Sequence, residues 1–493
     1  MKARLFFIVG IVSLVSFGQD GSLDTSFGDA GIVVTDIENN HDMGWYLARQ
    51  ADGKIIVSGA TSPDANNFNS ILIRYLNDGT LDTSFGTNGV VTQDYVSWYN
   101  DQGFLSLDNV GNILTAGIVY QNSNTYFNIA RYLENGQLDY SFGTDGIVSL
   151  QGVYNMMLLS DGSFLLLRFT ASDEISISHY LNDGTLDNLF GINGIAVSNF
   201  FGESFSIRET KDDGQGNIFV LGTRDNNANA DIILMKFQPD GYLDTNFGNN
   251  GMTIKNIDAM NPMNFSTASL DFTNDNKIVI AGSCGACLDL FEPVVRPYFL
   301  RYLNDGSPDS DFGSNGTVLL PISGLRISQL MIQENQRMLV SGEFLDCFEG
   351  SYYVISRYFP GGTPDNSFSG DLFDFEYVNS ILQEDGKILS VGNTWWYSGM
   401  TDIVVLRHNN TTLSLPEYEN YKTSIYPNPS TGIFNIENEI FSGKTAFQIT
   451  DITGKIIAAG ELNDRESQID LSSAQSGVYF LKIVNGVFRL LKN

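Results

Sequence analysis

Cysteine and histidine, which often serve in catalysis and metal binding, are scarce in this 493-residue sequence, which contains three of each. Three cysteines cannot build the dense disulfide framework of a small exported domain, and they cannot complete a four-cysteine zinc site. No G-x-S-x-G elbow, H-E-x-x-H motif or phosphate-binding glycine loop is present. The sequence therefore argues against a serine hydrolase, a zinc protease and a nucleotide-dependent enzyme.

Basic residues are also scarce, since 27 Lys and Arg face 57 Asp and Glu, for a formal net charge of −30. The excess acid lies in residues 19–420, because residues 1–18 hold only two cations and residues 421–493 hold equal numbers of both signs. Such a chain repels nucleic acid, so we expect no nucleic-acid partner. A hydrophobic fraction of 42% with 49 glycines is typical of a well-packed, turn-rich β protein.

Apolar runs long enough to span a bilayer are missing. The nearest is the start of the chain, where Lys2 and Arg4 precede an apolar run from Leu5 to Phe17 and small residues end at Gly18. The run is shorter than the roughly 20 residues of a transmembrane helix and matches the pattern of a secretory signal peptide. We predict a signal peptide over residues 1–18 and no transmembrane segment in the mature protein.

Internal repetition organises the next 390 or so residues. One phrase recurs as RYLNDGTLDTSFGTNGVV from Arg74, RYLENGQLDYSFGTDGIV from Arg131, HYLNDGTLDNLFGINGIA from His179, KFQPDGYLDTNFGNNGMT from Lys236, RYLNDGSPDSDFGSNGTV from Arg301 and a degenerate RYFPGGTPDNSFSGDLFD from Arg357. A second phrase, such as ADGKIIVSG from Ala51, lies midway in each period and has the turn-then-apolar pattern of a hairpin. Each period predicts four short strands, which is the pattern of a propeller blade.

The two ends of the repeat region carry complementary halves of the phrase. QDGSLDTSFG from Gln19 lacks the RYLN half, and VVLRHNN from Val404 has that half without its continuation. A ring closed by one blade shared between the two ends explains this split and leaves no exposed sheet edge. We therefore predict an all-β fold with a seven-bladed β-propeller of four-stranded blades over residues 19–410.

The repeated positions themselves have a structural interpretation. Asp or Asn before Gly suits turns that need a positive φ, and Leu81 and Phe85 are expected to pack one blade on the next. The alternative is calcium on Asp78 and Asp82, although their spacing lacks the acidic density of a calcium loop. His179 and His408 replace the Arg or Tyr of the RYLN phrase, and we expect packing or surface roles for them.

These phrases resemble the delta-60 repeat of bacterial β-propellers, typified by LNxDGxLDxxFGxxG, in six of seven copies. The copy over residues 359–370 departs most, which leaves the geometry of its blade open. The resemblance implies a propeller of secreted proteins, and it transfers no active-site residue.

The sequence pattern changes after a linker at residues 411–421. Residues 422–493 read as a small β-sandwich with turns at YPNPSTG, DITGK and the Ser-Gly of SGVYFLKI. Alone, this could be a carbohydrate-binding module. The three motifs, in this order, are similar to the type A sorting domain of the type IX secretion system. The resemblance implies export through the periplasm and across the outer membrane, with that machinery as partner, and release or surface attachment.

Ligand binding is predicted on one face of the propeller. Connections alternate between faces, so the Asp-Gly hairpins and the LNDGTLDTSFG links share a near-uniform face, and the other connections form a variable one. On that variable face Trp395, Trp396 and Tyr397 are the densest aromatic cluster, a candidate platform for a glycan or peptide, or else a cover for the last blade. Cys284, Cys287 and Cys347 also lie there and could form a local or inter-blade disulfide.

We interpret the protein as a secreted or cell-surface binding or adhesion module for a glycan or an extracellular protein, without a cofactor. The alternative is a polysaccharide-active enzyme that uses paired carboxylates, because an acidic propeller offers many. A purely structural surface-layer role is the third possibility.

Overall fold

The computed structural model describes residues 19–64, 68–97, 104–121, 124–152, 155–170, 174–199, 205–226, 229–257, 266–284, 295–346, 350–370, 372–394, 400–410, 423–438, 445–451, 455–462, 466–483 and 486–493. Two compact units are present, Met1–Thr412 and Leu413–Asn493. Every regular element in the described ranges is a β-strand, so the all-β prediction is confirmed. Accordingly, none of these ranges contains a helix able to cross a membrane. The predicted signal peptide and linker lie outside the described residues.

The first unit consists of antiparallel sheets whose strands follow one another in sequence. Strand β1 (Ile32–Thr35) belongs to the last sheet, described below. The next three sheets contain β2 (His41–Arg49), β3 (Ile55–Ser62), β4 (Phe68–Tyr75) and β5 (Val90–Ser97); β6 (Phe104–Leu107), β7 (Ile113–Gln121), β8 (Asn124–Tyr132) and β9 (Ile147–Gln151); and β10 (Asn155–Leu158), β11 (Phe164–Thr170), β12 (Glu174–Tyr180) and β13 (Ile195–Asn199).

The remaining internal sheets repeat this order. They contain β14 (Phe205–Asp212), β15 (Ile218–Asn226), β16 (Asn229–Phe237) and β17 (Met252–Ile257); β18 (Ser266–Phe272), β19 (Ile278–Cys284), β20 (Arg296–Tyr302) and β21 (Thr317–Leu319); and β22 (Leu325–Ile332), β23 (Met338–Asp346) and β24 (Gly350–Tyr358). Within the described ranges the last of these sheets has three strands, with an isolated bridge between Tyr353 and Phe373 beside β24. Its missing strand follows the degenerate copy of the repeat, where the FGxxG that should lead into it is lost.

The ends of the repeat region share one sheet, as predicted from the split phrase. This sheet has the order β1, β27 (Ile403–His408), β26 (Ile388–Asn393) and β25 (Glu376–Leu382). Strand β1 pairs antiparallel with β27, with Ile32 opposite Leu406 and Thr35 opposite Ile403. The first strand of the unit therefore completes the last blade, and this closing blade removes an edge that would otherwise be exposed.

Burial explains why the midway phrases form strands. All eight residues of β3 are buried, because both faces of this strand pack against neighbouring sheets. The turn before it needs Gly53, whose φ is +90°, a conformation that costs glycine little. First strands of successive sheets pack against one another. A run of Ile and Val bounded by an Asp-Gly turn is therefore sufficient to specify this strand.

The second unit has two sheets, as a sandwich requires. One contains β28 (Thr423–Tyr426), β29 (Ile433–Asn438) and β32 (Glu466–Asp470), and the other contains β31 (Ile456–Leu462), β30 (Thr445–Asp451), β33 (Gly477–Ile483) and β34 (Gly486–Lys492). Phe434, Ile449 and Leu481 are fully buried in its core. Asn428 of the YPNP motif accepts a hydrogen bond from Leu491 N at 2.8 Å and donates one to Arg489 O at 2.7 Å, which anchors the motif on β34.

Candidate functional site

On the uniform face, formed by the Asp-Gly hairpins and the links such as residues 76–89, a contact between a basic residue and an aspartate is repeated. In every copy the basic first residue of the RYLN phrase contacts the Asp eight positions later, or its counterpart across the split phrase. The pairs and their distances are Arg74–Asp82 (2.8 Å), Arg131–Asp139 (2.7 Å), His179–Asp187 (2.9 Å), Lys236–Asp244 (3.6 Å), Arg301–Asp309 (2.7 Å), Arg357–Asp365 (2.7 Å) and Arg407–Asp24 (2.7 Å). The last pair joins the two ends of the repeat region.

The same arginines connect neighbouring blades. Arg74 Nη1 donates to the carbonyl of Glu134 in the next blade at 2.6 Å, and its guanidinium lies 4.5 Å from the centre of the Phe85 ring. Three other arginines repeat both contacts, each with one carbonyl in the neighbouring blade and one phenylalanine ring. These sets are Arg131 with Asn182 and Phe142, Arg301 with Pro360 and Phe312, and Arg407 with Asn77 and Phe27. We call this set of basic residue, Asp and Phe the inter-blade clasp. It is a structural device that the sequence analysis missed, although its residues recur at fixed spacing.

The structural interpretation of the repeat is confirmed for Phe85, and for Leu81 it stays a prediction. Phe85 is fully buried in a cluster that includes Ile113 and Tyr132 of the next blade. Leu81 is 37% exposed and lies against Gly89 of its own repeat. The glycine of the Asp-Gly turn also packs against the preceding blade. Gly79 has a φ of +88°, and a Cβ at this position would lie only 2.9 Å from the ring of Phe27 in the closing blade, so a side chain would not fit there.

The two repeat histidines have packing roles, one of the alternatives predicted. His179 takes the place of arginine in a clasp and also contacts Ser163 Oγ at 3.0 Å. His408 takes the place of tyrosine, is fully buried, and packs its ring against Tyr353 and Phe373. Burial lowers the pKa of His408 to about 4, so its ring is neutral at physiological pH.

The carboxylates proposed for calcium already have protein partners. Asp78 Oδ1 accepts hydrogen bonds from the N–H and the hydroxyl of Thr80, at 2.9 and 2.7 Å. Asp82 accepts from Arg74 and Ser84, and although burial opposes it, these partners hold the pKa of Asp82 below its ordinary value. Calcium at these two residues stays a prediction.

A cavity of about 900 Å³ lies along the outer strands β13 and β17. Its lining includes Asn199, Thr253 and the link residues Asp305 to Pro308. The only ionisable side chain among its lining residues is Asp305, which accepts hydrogen bonds from the N–H and the hydroxyl of Ser307. The lining of the cavity therefore contains no charged side chain that is free to bind a ligand.

The variable face consists of the connections at the opposite strand ends, among them residues 36–40 and 394–402. Trp395, Trp396 and Tyr397 lie outside the described residues, as do Cys287 and Cys347, so the platform and the disulfide stay predictions. The base of the 394–402 loop is described. Thr394 N donates to Asp402 O at 2.9 Å, and Asp402 N donates to Thr394 Oγ1 at 2.8 Å, which closes the loop at the rim of the closing blade.

Three carboxylates meet beside this loop base. One carboxylate oxygen from each of Asp36, Asp42 and Asp402 lies within 4.8 Å of the other two. Asp36 directly follows β1, Asp42 is the second residue of β2, and Asp402 directly precedes β27. The backbone fixes this arrangement, because Asp42 N donates to Thr401 O at 2.8 Å and Asn39 N donates to Asp36 Oδ1 at 2.7 Å. We call these three residues the acidic cluster.

Burial is unequal within the acidic cluster. Asp36 is exposed and Asp402 is half-buried, whereas Asp42 is fully buried. Burial and, to a smaller extent, the charges of Asp36 and Asp402 raise the pKa of Asp42 to about 6, although hydrogen bonds to the carboxylate oppose this rise. Burial and the charge of Asp36 also raise the pKa of Asp402.

The sequence analysis missed the acidic cluster, but the repeats contain a signal for it. The register of β2 on β3 breaks between Gly44 and Tyr46, and three other first strands break at the same place. Two residues before the break, the other copies have Phe205, Leu325 and Phe375, all buried, the last directly before β25. Asp42 occupies this apolar position, so a carboxylate stands where the repeat expects a large hydrophobic side chain.

The sequentially ordered antiparallel sheets and their shared closing blade define a β-propeller, followed by a two-sheet C-terminal domain. A family model described as a domain of unknown function (DUF5122) beta-propeller matches residues 50–85, 111–142 and 273–312, and a model of the secretion system C-terminal sorting domain matches residues 424–492. The chain is therefore a delta-60-like repeat β-propeller protein with a type IX sorting domain, which directs it to the cell surface or the extracellular medium. No curated protein matches it.

Several solved structures are similar to this chain at low sequence identity. A protein of unknown function from Dyadobacter fermentans shares 9% identity with a TM-score of 0.40, covering 77% of this chain and 99% of that one. PorZ, a surface component of the type IX secretion system of Porphyromonas gingivalis, shares 9% with a TM-score of 0.30, covering 91% and 74%. The polysaccharide lyase Uly1 shares 11% with a TM-score of 0.47, covering 81% and 94%. At such scores these similarities carry no functional argument.

Proposed function

We propose that this exported propeller is a binding or adhesion module that holds a glycan or an extracellular protein on its variable face. The observation that carries the proposal is the contrast between the two faces. On the uniform face the repeated basic residues and aspartates pair with each other in the inter-blade clasp. On the variable face the acidic cluster lies beside the base of the 394–402 loop, and Asp36 of this cluster is exposed.

The loop gives the proposal a location. Thr394 and Asp402 close its base at the closing blade, and the loop itself contains Trp395, Trp396 and Tyr397. Aromatic rings on a rigid rim suit sugar rings and peptide side chains, because they bury apolar area at low entropic cost. The acidity of the propeller favours neutral or basic ligands over polyanions.

An array of glycans and extracellular matrix proteins, probed with the purified full chain, tests the proposal. We expect retention on a restricted set of spots and its loss in the double variant Trp395→Ala/Trp396→Ala. Tyr140→Ala is the matched control, since Tyr140 is 74% exposed on a uniform-face link. Equal retention by both variants would reject the loop as the binding site, and retention on no spot would reject the binding function.

A polysaccharide-active enzyme is the second candidate, and the acidic cluster is the observation that favours it. Glycosidases pair an ionised carboxylate with an acid whose pKa is raised, as that of Asp42 is. The burial of Asp42 weighs against this function, because a carboxyl group with no exposed surface cannot reach a glycosidic oxygen. Release of reducing ends or unsaturated uronates from any polysaccharide on the array would favour the enzyme, and loss of that release in Asp42→Asn would locate it.

A further inference from the structure

In the described part of the chain, no Lys or Arg balances the charge of the acidic cluster. Its three residues form no ion pair with any described Lys or Arg. By contrast, Asp24 on the uniform face lies 2.7 Å from both Lys387 and Arg407. Three like charges so close together repel one another unless protons or a bound cation neutralise them.

Buried oxygen atoms without hydrogen-bond partners supply a second observation. Asp42 Oδ2 accepts a hydrogen bond from Ile37 N at 2.6 Å, but Asp42 Oδ1, on a side chain with no exposed surface, has no partner. The hydroxyl oxygen of Thr401, a residue only 3% exposed, also lacks a partner. Thr401 adjoins the cluster through its carbonyl, which accepts the hydrogen bond from Asp42 N. An unsatisfied buried oxygen is costly, and a ligand at this position would satisfy it.

The spacing of the oxygens suits one ion. Calcium binds oxygen ligands at about 2.3–2.6 Å, so two oxygens on opposite sides of the ion are roughly 5 Å apart. The 4.8 Å limit within the acidic cluster meets this condition for all three carboxylates. The donors are carboxylate oxygens, which suit calcium or magnesium and not a metal that prefers nitrogen or sulfur.

We propose that Asp36, Asp42 and Asp402 bind one divalent cation, with calcium preferred, at the junction between the closing blade and the first blade. Asp36 and Asp402 border strands of the closing blade, and Asp42 belongs to the first strand of the first blade. The ion would therefore link the beginning and the end of the repeat region on the variable face, opposite the Arg407–Asp24 clasp. This site is distinct from Asp78 and Asp82, and the proposal does not depend on the proposed glycan or protein ligand.

Equilibrium dialysis with radioactive calcium tests the proposal on the chelator-treated full chain. Physiological salt limits diffuse binding to an acidic surface. We expect one calcium per chain with a dissociation constant of about 10⁻⁴–10⁻³ M, as in extracellular modules, and a melting temperature that rises with calcium. The variant Asp36→Asn/Asp402→Asn should lose this ion and this rise. The control is Asp145→Asn, which makes one such Asp-to-Asn change at an exposed turn where other copies have Asn, as at Asn88.

A metal-free measurement keeps the test decisive if a variant is unstable. Without calcium, Asp36→Asn/Asp402→Asn should melt no lower than the wild type, because it removes repulsion between carboxylates. Identical calcium binding by the wild type and this variant would overturn the proposal, as would a wild type that neither binds calcium nor melts higher in its presence. A variant that melts lower without calcium would show that the carboxylates stabilise the fold by themselves, which also contradicts the proposed site.

Discussion

The inter-blade clasp of Arg74 should contribute far more to stability than a surface ion pair. The side chains of Arg74 and Asp82 are only 6% and 8% exposed. Arg74→Met keeps the aliphatic stem but leaves an oxygen of Asp82 and the carbonyl of Glu134 without their donor. Breaking one partner of a buried pair costs about 3–5 kcal/mol, and losing the cation–π contact with Phe85 adds about 1 kcal/mol. We expect Arg74→Met to lower the free energy of unfolding by roughly 4 kcal/mol.

The double variant separates the buried charge from the contact itself. Asp82→Asn keeps an oxygen for the Ser84 hydrogen bonds but removes the negative charge, so Arg74→Met/Asp82→Asn leaves no unpaired buried ion. The cost of the double variant should therefore fall short of the sum of the single costs by about 2 kcal/mol. Lys54→Met is the control, because Lys54 and Asp52 form an exposed pair, and it should cost less than 1 kcal/mol.

Urea unfolding followed by tryptophan fluorescence measures these effects in the propeller alone. All four tryptophans, Trp45, Trp98, Trp395 and Trp396, precede residue 413, so the sorting domain contributes no tryptophan signal. A cost for Arg74→Met no larger than that of Lys54→Met, or strictly additive costs in the double variant, would refute the view that the clasp is a coupled, buried contact.

Two further substitutions follow from comparing the repeats. Lys236→Arg should raise the urea midpoint and increase the free energy of unfolding by about 0.5–1 kcal/mol. Arginine can bind Asp244 with two N–H groups and reach the carbonyl of Asn304, the counterpart of Glu134. An unchanged or lower midpoint would contradict this prediction. His408→Phe should stabilise the propeller by about 2 kcal/mol at pH 5 but by little at pH 7. The folded pKa of His408, about 4, is below its ordinary 6.5, so the wild type has its full stability above pH 6.5 and loses stability as the pH drops towards 4. Thermal unfolding across this range measures the difference, and an equal gain at both pH values would contradict the prediction.

Much of the fold could be predicted because its signals are local and repeated. The Asp-Gly turn before Ile55 and the Ile-Val run after it specify a strand without reference to the rest of the chain. The split phrase predicted that β1 would pair with β27, since one half without the other leaves an edge. The residues of the clasp recur at fixed spacing, but its link to the next blade was missed because the partner of Arg74 there is a backbone carbonyl, which no side-chain pattern marks. The acidic cluster was missed because it joins residues from the two ends of the repeat region, and only the replacement of a buried apolar residue by Asp42 marks it.

The acidic cluster lies where the closing blade meets the first blade. The closing blade holds β1 by pairing with β27, and Asp24 contacts both Arg407 and Lys387 on the uniform face. A cation shared by Asp36, Asp42 and Asp402 would fasten the same junction on the variable face. Because Asp402 also closes the 394–402 loop, such an ion would hold the base of the loop proposed to bind the ligand. Calcium that stabilises the ring should then also increase ligand retention on the array, and it should do so in Asp145→Asn but not in Asp36→Asn/Asp402→Asn. Equal retention with and without calcium would separate the ion from ligand binding and leave it as a fastener of the ring.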